Sequence, residues 1–321
     1  MICALFSSEI IAQTSTLNSG WQFVLGKKTS NDWQIVNIPH TWNKDDAFDD
    51  KKGYYRGIGR YKKQLYFSAE SEHLVHYIHF KGVNQETNVY VNGELIGNHK
   101  GGYTAFNFNI SKWLKFGTYN LIEVKVDNSH NLNIPPLDAD FTFYGGIYRD
   151  VELISKSKQH ISLSDFASDG FFVNYYHVSE EKAGISVKIL IDNFESAKAS
   201  NVLKISLSNA GKDILQHQQR KLKINANTSE AINIKFPELQ SPKLWSPESP
   251  YLYKLHLQLL NKNGIVLDEK WQNIGFRWIS VNAEKGFFLN GKPIKLIGVN
   301  RHQDYDGYGN AVPMELQKKG H

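Results

Sequence analysis

Asp140 stands in the run Asp138-Ala139-Asp140-Phe141-Thr142-Phe143-Tyr144, whose residue types suit the binding of a polyhydroxylated ring. A carboxylate offers two oxygens that accept hydrogen bonds from adjacent sugar hydroxyls, while Phe141, Phe143 and Tyr144 supply apolar packing for the ring. Read alone, the same aspartate is also a solvated loop acid beside Asp138. A second group, Asn300-Arg301-His302-Gln303-Asp304, follows the apolar segment 294–299. Placed after a buried strand, the His302 imidazole can donate to a sugar hydroxyl or stabilise developing charge, the alternative being a satisfied structural histidine. Arg301 and Asn300 read as loop-holding hydrogen-bonding residues. Asp304 is a supporting acid or a turn former.

Three other groups invite chemistry and support it poorly. His73, His76 and His79 are spaced like a metal tract, but on a strand His76 faces opposite to the other two, so three ligands do not converge. Gly26-Lys27-Lys28-Thr29 resembles the end of a phosphate loop, yet the upstream glycine is missing and Lys28 separates Lys27 from Thr29, which leaves a turn. Trp42, Tyr54, Tyr55 and Tyr103 could form a sugar platform or fill a sandwich core. Trp42 reads as core, and the tyrosines stay open.

The elements that must position these residues are strands. Val89-Tyr90-Val91, the turn Asn92-Gly93 and Leu95-Ile96 form a hairpin, because Asn and Gly tolerate the positive φ of a type I′ turn. Further strands fit 74–80, 122–126 and 147–153, with Gly101-Gly102 and Pro135-Pro136 marking loops. The region 17–155 therefore reads as an antiparallel sandwich of jelly-roll type. A second alternating set follows: Ile185, Val187, Ile189 and Ile191; Leu203, Ile205 and Leu207; then Tyr251, Tyr253, Leu255, Leu257 and Leu259. With a hairpin closed by 261–264, this set predicts an immunoglobulin-like sandwich over 156–280. From Val281 the character changes. A hairpin through Asn290-Gly291 leads into 294–299, which is apolar almost without interruption, as in a strand buried on both faces. A polar loop and a helix start at Pro313-Met314-Glu315-Leu316 follow. Strand, loop and helix make the unit of a (β/α)8 barrel, of which 281–321 would be a truncated start, since such a barrel takes about 250 residues.

Composition sets the outer limits. The 321 residues, 41% hydrophobic and 21% charged, can bury two or three cores, and no apolar run reaches the length of a membrane-spanning helix. One cysteine, Cys3, excludes an intrachain disulfide framework and a Cys-based zinc cluster. The net charge of +5 comes from scattered pairs such as Lys51-Lys52 and Lys62-Lys63, a pattern that argues against nucleic acid as a partner. The denser run 220–223 reads as a lysine-protected strand edge. Residues 1–16 are an N-terminal tail or the remnant of a secretion signal. The signal reading implies a periplasmic or secreted protein, and the tail reading a cytoplasmic one.

The stretches Ile38-Pro39-His40-Thr41-Trp42, Val89 to Gly93, Gly101-Gly102-Tyr103-Thr104, Asp140-Phe141 through Tyr144-Gly145-Gly146-Ile147-Tyr148-Arg149-Asp150-Val151, Leu244-Trp245-Ser246-Pro247 and Gly298-Val299-Asn300-Arg301-His302-Gln303-Asp304 resemble, in order and spacing, those of family 2 glycoside hydrolases. The resemblance covers nearly all of the chain from Gly20. It implies a mainly β chain: a sugar-binding jelly roll, an immunoglobulin-like sandwich and the first part of a catalytic TIM barrel. It also implies hydrolysis of β-glycosides with retention, by two glutamates on later barrel strands. Neither is placed in this chain, because Glu284 and Glu315 have no motif context for a pair about 5 to 5.5 Å apart. The isolated chain is therefore expected to be inactive.

Asp140 matches the family aspartate that reaches into the barrel pocket, binds the sugar and, in galactosidases, ligates sodium. His302 matches the histidine that contacts substrate, with Asn300, Arg301 and Asp304 beside it. The form of the 298–304 motif is most similar to β-galactosidases and so implies a β-galactoside, with a β-glucuronide as the alternative. Sodium, magnesium and a homo-oligomer are implied only for a full-length enzyme. A free-standing carbohydrate-binding or adhesion module of two sandwiches is the competing reading.

Overall fold

The computed structural model describes residues 13–26 and 32–319. Residues 1–12 of the presumed tail or signal remnant, and most of the Gly26-Lys27-Lys28-Thr29 turn, lie outside the described residues. The chain divides into two compact units, one of Gln13–Ser155 with 301–319, the other of Lys156–Asn300. The fold is mainly β, with one jelly-roll-type and one immunoglobulin-like sandwich.

In the first unit the strands are β1 (Gln13–Thr16), β2 (Trp21–Leu25), β3 (Gln34–Val36), β4 (Ile58–Phe67), β5 (Leu74–Phe80), β6 (Glu86–Val91), β7 (Glu94–Lys100), β8 (Phe106–Asn109), β9 (Thr118–Asp127) and β10 (Val151–Ser157). They form one sheet in the order β1-β10-β5-β8 and another in the order β3-β2-β4-β9-β6-β7. Alternation builds the core. On β9, Ile122, Val124 and Val126 turn inward and meet Trp21, Phe23, Tyr61, Ile78 and Phe80, all almost fully buried. The Asn92-Gly93 turn forms as the sequence implies, with φ of 53° and 87°. Two boundaries differ from the sequence reading. β1 lies wholly within the stretch 1–16 expected as tail; its four residues are exposed and pair with β10 through backbone alone, so no side-chain pattern marks it. The strand expected over 147–153 begins at Val151, because 143–148 is a buried, looped segment held by side chains.

The second unit contains β11 (Gln159–Ile161), β12 (Phe171–Tyr176), β13 (Lys182–Asn193), β14 (Ala199–Ser208), β15 (Ile214–Ile224), β16 (Thr228–Lys235), β17 (Leu239–Gln240), β18 (Tyr253–Asn261) and β19 (Val266–Ile274). β13 pairs with β11, β12, β16 and β17, and the facing sheet runs β15-β14-β18-β19. The residues read as inward, Ile185 to Ile191 on β13, Leu203 to Leu207 on β14 and Tyr253 to Leu259 on β18, fill one core. The lysine-rich run 220–223 lies on β15, at a sheet edge as expected.

A small sheet of β20 (Ile279–Asn282), β21 (Gly286–Leu289) and β22 (Lys292–Pro293) follows. No barrel strand forms after it, which corrects the expectation for 294–299. Leu296, Ile297 and Val299 are 69%, 86% and 92% exposed, and the segment takes no extended pairing among the described residues. An apolar run becomes a buried parallel strand only where neighbours supply its ladder and cover both faces. The helix start is real, as α1 (Met314–Lys319). Among the described residues no helix is long and apolar enough to cross a membrane.

Candidate functional site

The loop that carries Asp140 is held at its base by buried polar side chains from two other segments. Thr41, Asn43 and Asn128 are at most 2% exposed. Thr41 Oγ1 donates to the Gly145 carbonyl at 2.8 Å, while the Asn43 carbonyl oxygen accepts from Gly145 N at 2.8 Å. Asn43 Nδ2 donates to the Tyr55 carbonyl at 2.9 Å and to Asp46 at 3.1 Å. Asn128 Nδ2 donates to the Phe143 carbonyl at 2.9 Å, and its Oδ1 accepts from Gly57 N at 2.8 Å. Phe143 N in turn donates to the Tyr54 hydroxyl at 2.9 Å. Every one of these amides would cost free energy if buried without a partner, so together they specify one path for 143–146. Gly145 is required by space: a Cβ there would lie 2.0 Å from the Trp42 ring.

His40 braces the same segment. Its backbone N donates to the Ile147 carbonyl at 2.7 Å, and Nδ1 lies 2.8 Å from the Tyr61 hydroxyl. Burial, aided by nearby Lys44, lowers the His40 pKa to about 4. The ring is therefore neutral at pH 7 and shares a hydrogen bond with the Tyr61 hydroxyl. Burial also raises the Tyr61 phenol far above its ordinary range, so it stays protonated.

Beyond this clamp a cleft of about 740 Å³ opens, lined by Tyr54, Arg56, His130, Asp140, Phe141 and Phe143 among others. Asp140 is exposed in it, and its carboxylate makes no hydrogen bond among the described residues. Asp138 lines the same cleft, but its Oδ1 accepts from Ala139 N at 2.9 Å in its own turn. Phe141 and Phe143 lie 5.3 Å apart, and the Arg56 guanidinium sits 4.7 Å over the Phe143 ring. Carboxylate, guanidinium and aromatic surface share one wall, a combination suited to a polyhydroxylated ligand.

A second hollow of about 320 Å³ is lined by Arg301, His302, Gln303, Asp304, Tyr305 and α1 residues such as Leu316. Tyr144, next in the chain to Phe143, donates through its hydroxyl to Asp304 Oδ2 at 2.8 Å. Burial, reinforced by that carboxylate, pushes the Tyr144 phenol well above its ordinary range and keeps the donor protonated. Gly309 packs so closely on this tyrosine that a Cβ would come within 2.8 Å of its ring. The jelly-roll segment that carries Asp140 thus also anchors the loop that carries His302.

The structure brings Arg301, His302 and Asp304 into one hollow and places Asp140 in the other; Asn300 is exposed and lines neither. Sequence reasoning missed Asn43, Asn128 and Arg56, whose roles depend on partners far along the chain and carry no local signal, and it read Tyr144 as packing for a sugar ring, whereas Tyr144 does not line the cleft and anchors Asp304. Trp42 packs into the core as expected, stacked on Phe23 at 6.0 Å. Of the open tyrosines, Tyr54 lines the cleft and Tyr103 is half exposed. His76 is buried, with Nδ1 2.9 Å from Ser155 Oγ and Nε2 3.0 Å from the Ser71 carbonyl, and His73 belongs to a short 3-10 turn instead of the strand. No group of three His, Cys, Asp or Glu suited to a metal stands together among the described residues. Asp140 offers one carboxylate to a cation, and the residues around it do not by themselves build a sodium or magnesium site.

Two family models match the chain: glycosyl hydrolases family 2, sugar binding domain, over residues 12–157, and glycosyl hydrolases family 2 over residues 167–277. A β-glucuronidase of Bacteroides fragilis is 38% identical across 96% of this chain and 44% of its own length. A β-galactosidase of Thermoanaerobacter pseudethanolicus is 32% identical across 94% of the chain and 39% of its own. Among solved structures, a Bacteroides uniformis β-glucuronidase superposes with a TM-score of 0.92 at 36% identity, covering 96% of this chain and 38% of that one. The chain spans less than half the length of these relatives.

Proposed function

Because this chain belongs to family 2 of the glycosyl hydrolases, we propose that it forms the sugar-recognition portion of a retaining β-glycosidase that removes a terminal β-linked galactose or glucuronic acid. The observation that carries this reading is the Tyr144–Asp304 hydrogen bond, since it joins the Asp140 cleft and the His302 hollow through a single segment of the jelly roll. In this reading Asp140 accepts from sugar hydroxyls, His302 contacts the same sugar, and Arg301 and Asp304 hold the loop. Asn300 keeps its expected role at the start of that loop. The acid/base and nucleophilic carboxylates belong to the part of the relatives' length that this chain does not span.

The two sugars draw on different support. The motif at 298–304 favours a galactoside, while the β-glucuronidases among its relatives, at 38% and 36% identity, favour a glucuronide. Both need the same test. Methyl β-glycosides titrated into the ¹⁵N-labelled chain should shift amides at 140–144 and 301–305 at millimolar concentration, leaving those of β13 and β14 unmoved. The chain alone should release no nitrophenol from nitrophenyl galactoside or glucuronide. Shifts confined to other surfaces, or hydrolysis by the chain alone, would overturn the assignment.

A further inference from the structure

We propose that Arg56 is a specificity-determining residue that reads the carboxylate of a uronic acid in the Asp140 cleft, an inference that rests on the sugar-binding reading above.

Arg56 enters the cleft from the turn before β4, and two contacts fix its head. Nε donates to the Asn128 carbonyl at 2.8 Å, and the guanidinium carbon lies 4.7 Å over the Phe143 ring. Asn128 is fully buried and itself holds Gly57 N and the Phe143 carbonyl, so the plane of the guanidinium is set by the same clamp that shapes the Asp140 loop. That arrangement uses Nε and one face. Among the described residues the two Nη groups donate to nothing, and no carboxylate forms an ion pair with Arg56. A half-buried guanidinium with its fork unengaged, lining a cleft of about 740 Å³, is an anion-recognition element.

The chemistry selects a carboxylate over a hydroxyl. The fork presents parallel N–H donors that a carboxylate accepts two at a time, in a charge-assisted pair roughly twice as strong as a neutral hydrogen bond. A single sugar hydroxyl satisfies one donor and leaves the other without a partner. Asp140 supplies the complementary half, an acceptor-only group free for ring hydroxyls. Its negative charge lowers the affinity for any anion, so the ligand must carry both an acid group for Arg56 and hydroxyls for Asp140. A uronic acid glycoside has both.

The test compares matched pairs that differ only in oxidation at C6: methyl β-D-glucuronide against methyl β-D-glucoside, and methyl β-D-galacturonide against methyl β-D-galactoside. Each is titrated into the full 321-residue chain, following amide shifts at 140–144 and the Arg56 Nε–Hε resonance. The acid of each pair should bind at least ~10-fold more tightly than its neutral partner and lose that advantage as salt rises. Arg56→Gln and Arg56→Lys should both bring the acid-to-neutral ratio to about 1, the lysine because a point charge lacks the fork. An arginine that only braces Asn128 would weaken all four sugars alike and leave the ratio unchanged, which would overturn the proposal. So would equal binding of acid and neutral sugars at the cleft, a result that leaves the sugar-binding reading standing. If no sugar moves a cleft resonance, both fall.

Discussion

Both sandwiches bury charged or amide side chains, but the hydrogen bonds of those side chains end in different places. In the immunoglobulin-like unit Lys156 Nζ meets Asp268 Oδ1 at 2.5 Å with both groups nearly inaccessible, and Asp268 also accepts from Ile161 N and Glu269 N at 2.9 Å. Burial lowers the Lys156 pKa against the opposing pull of Asp268. That cluster closes on itself and ties strands together. In the jelly-roll unit the amides of Asn43 and Asn128 reach outward instead, to the backbone of a loop that leads into an open cleft. Buried polarity serves cohesion in one unit and aims exposed chemistry in the other. The two should therefore answer mutation in opposite ways.

The largest effect should come from Asp268→Ala, which strands the Lys156 ammonium in a dry interior. A loss of about 3–5 kcal/mol in denaturant unfolding of the second unit is expected, with no change in sugar titrations. A loss below about 1 kcal/mol would mean that water reaches the pair and that the contrast between the units is smaller than drawn.

Next is the His40 brace. Above pH 6.5 the ring is neutral in folded and unfolded chains alike. As pH falls from 6.5 towards 4 only the unfolded chain takes up the proton, so stability is lost across that window and levels off below it. The loss should approach about 3.5 kcal/mol, at about 1.4 kcal/mol per unit, and His40→Gln should remove that part of the pH slope in unfolding of the first unit. A slope unaffected by the substitution would assign it to another buried histidine of the same unit, such as His76.

Gly145→Ala should cost about 1–3 kcal/mol, because the added methyl meets the Trp42 ring and the Asn128 amide. Its distinguishing outcome is displacement of the Asp140 loop, read as weaker sugar-induced shifts at 140–144. The smallest effect on stability belongs to Asp140→Ala, within about 0.5 kcal/mol, since the carboxylate is exposed and bonds nothing among the described residues. Yet it should weaken cleft binding by about 10-fold or more and severely reduce catalytic efficiency in a complete hydrolase. A clear fall in melting temperature would show instead that Asp140 is part of the clamp.

How legible each part was follows from the range of its interactions. Period-two alternation located β9, β13, β14 and β18, because a strand with one buried face writes its orientation into consecutive residues. The Asn92-Gly93 turn was equally local. β1 was not visible, since its exposed residues, Gln13 to Thr16, are held by backbone pairing alone. The apolar segment 294–299 misled for the opposite reason: its composition fits a buried strand, while strand formation depends on partners that composition does not contain. Resemblance of motifs pointed to Asp140 and to the 300–304 loop as chemistry, but gave no account of what holds them.

By itself, then, the sequence determined two sandwiches, their inward faces, several of their turns and the residue types available for binding a sugar, since those are carried by neighbours within a few positions. Only the tertiary structure decided that Asn43 would meet Gly145 across 102 residues, that Tyr144 would meet Asp304 across 160, and that Arg56 would lie over Phe143 with its fork unengaged. Such contacts form when a collapsing core brings distant amides together where water no longer serves them, and each must then find the partner that geometry allows.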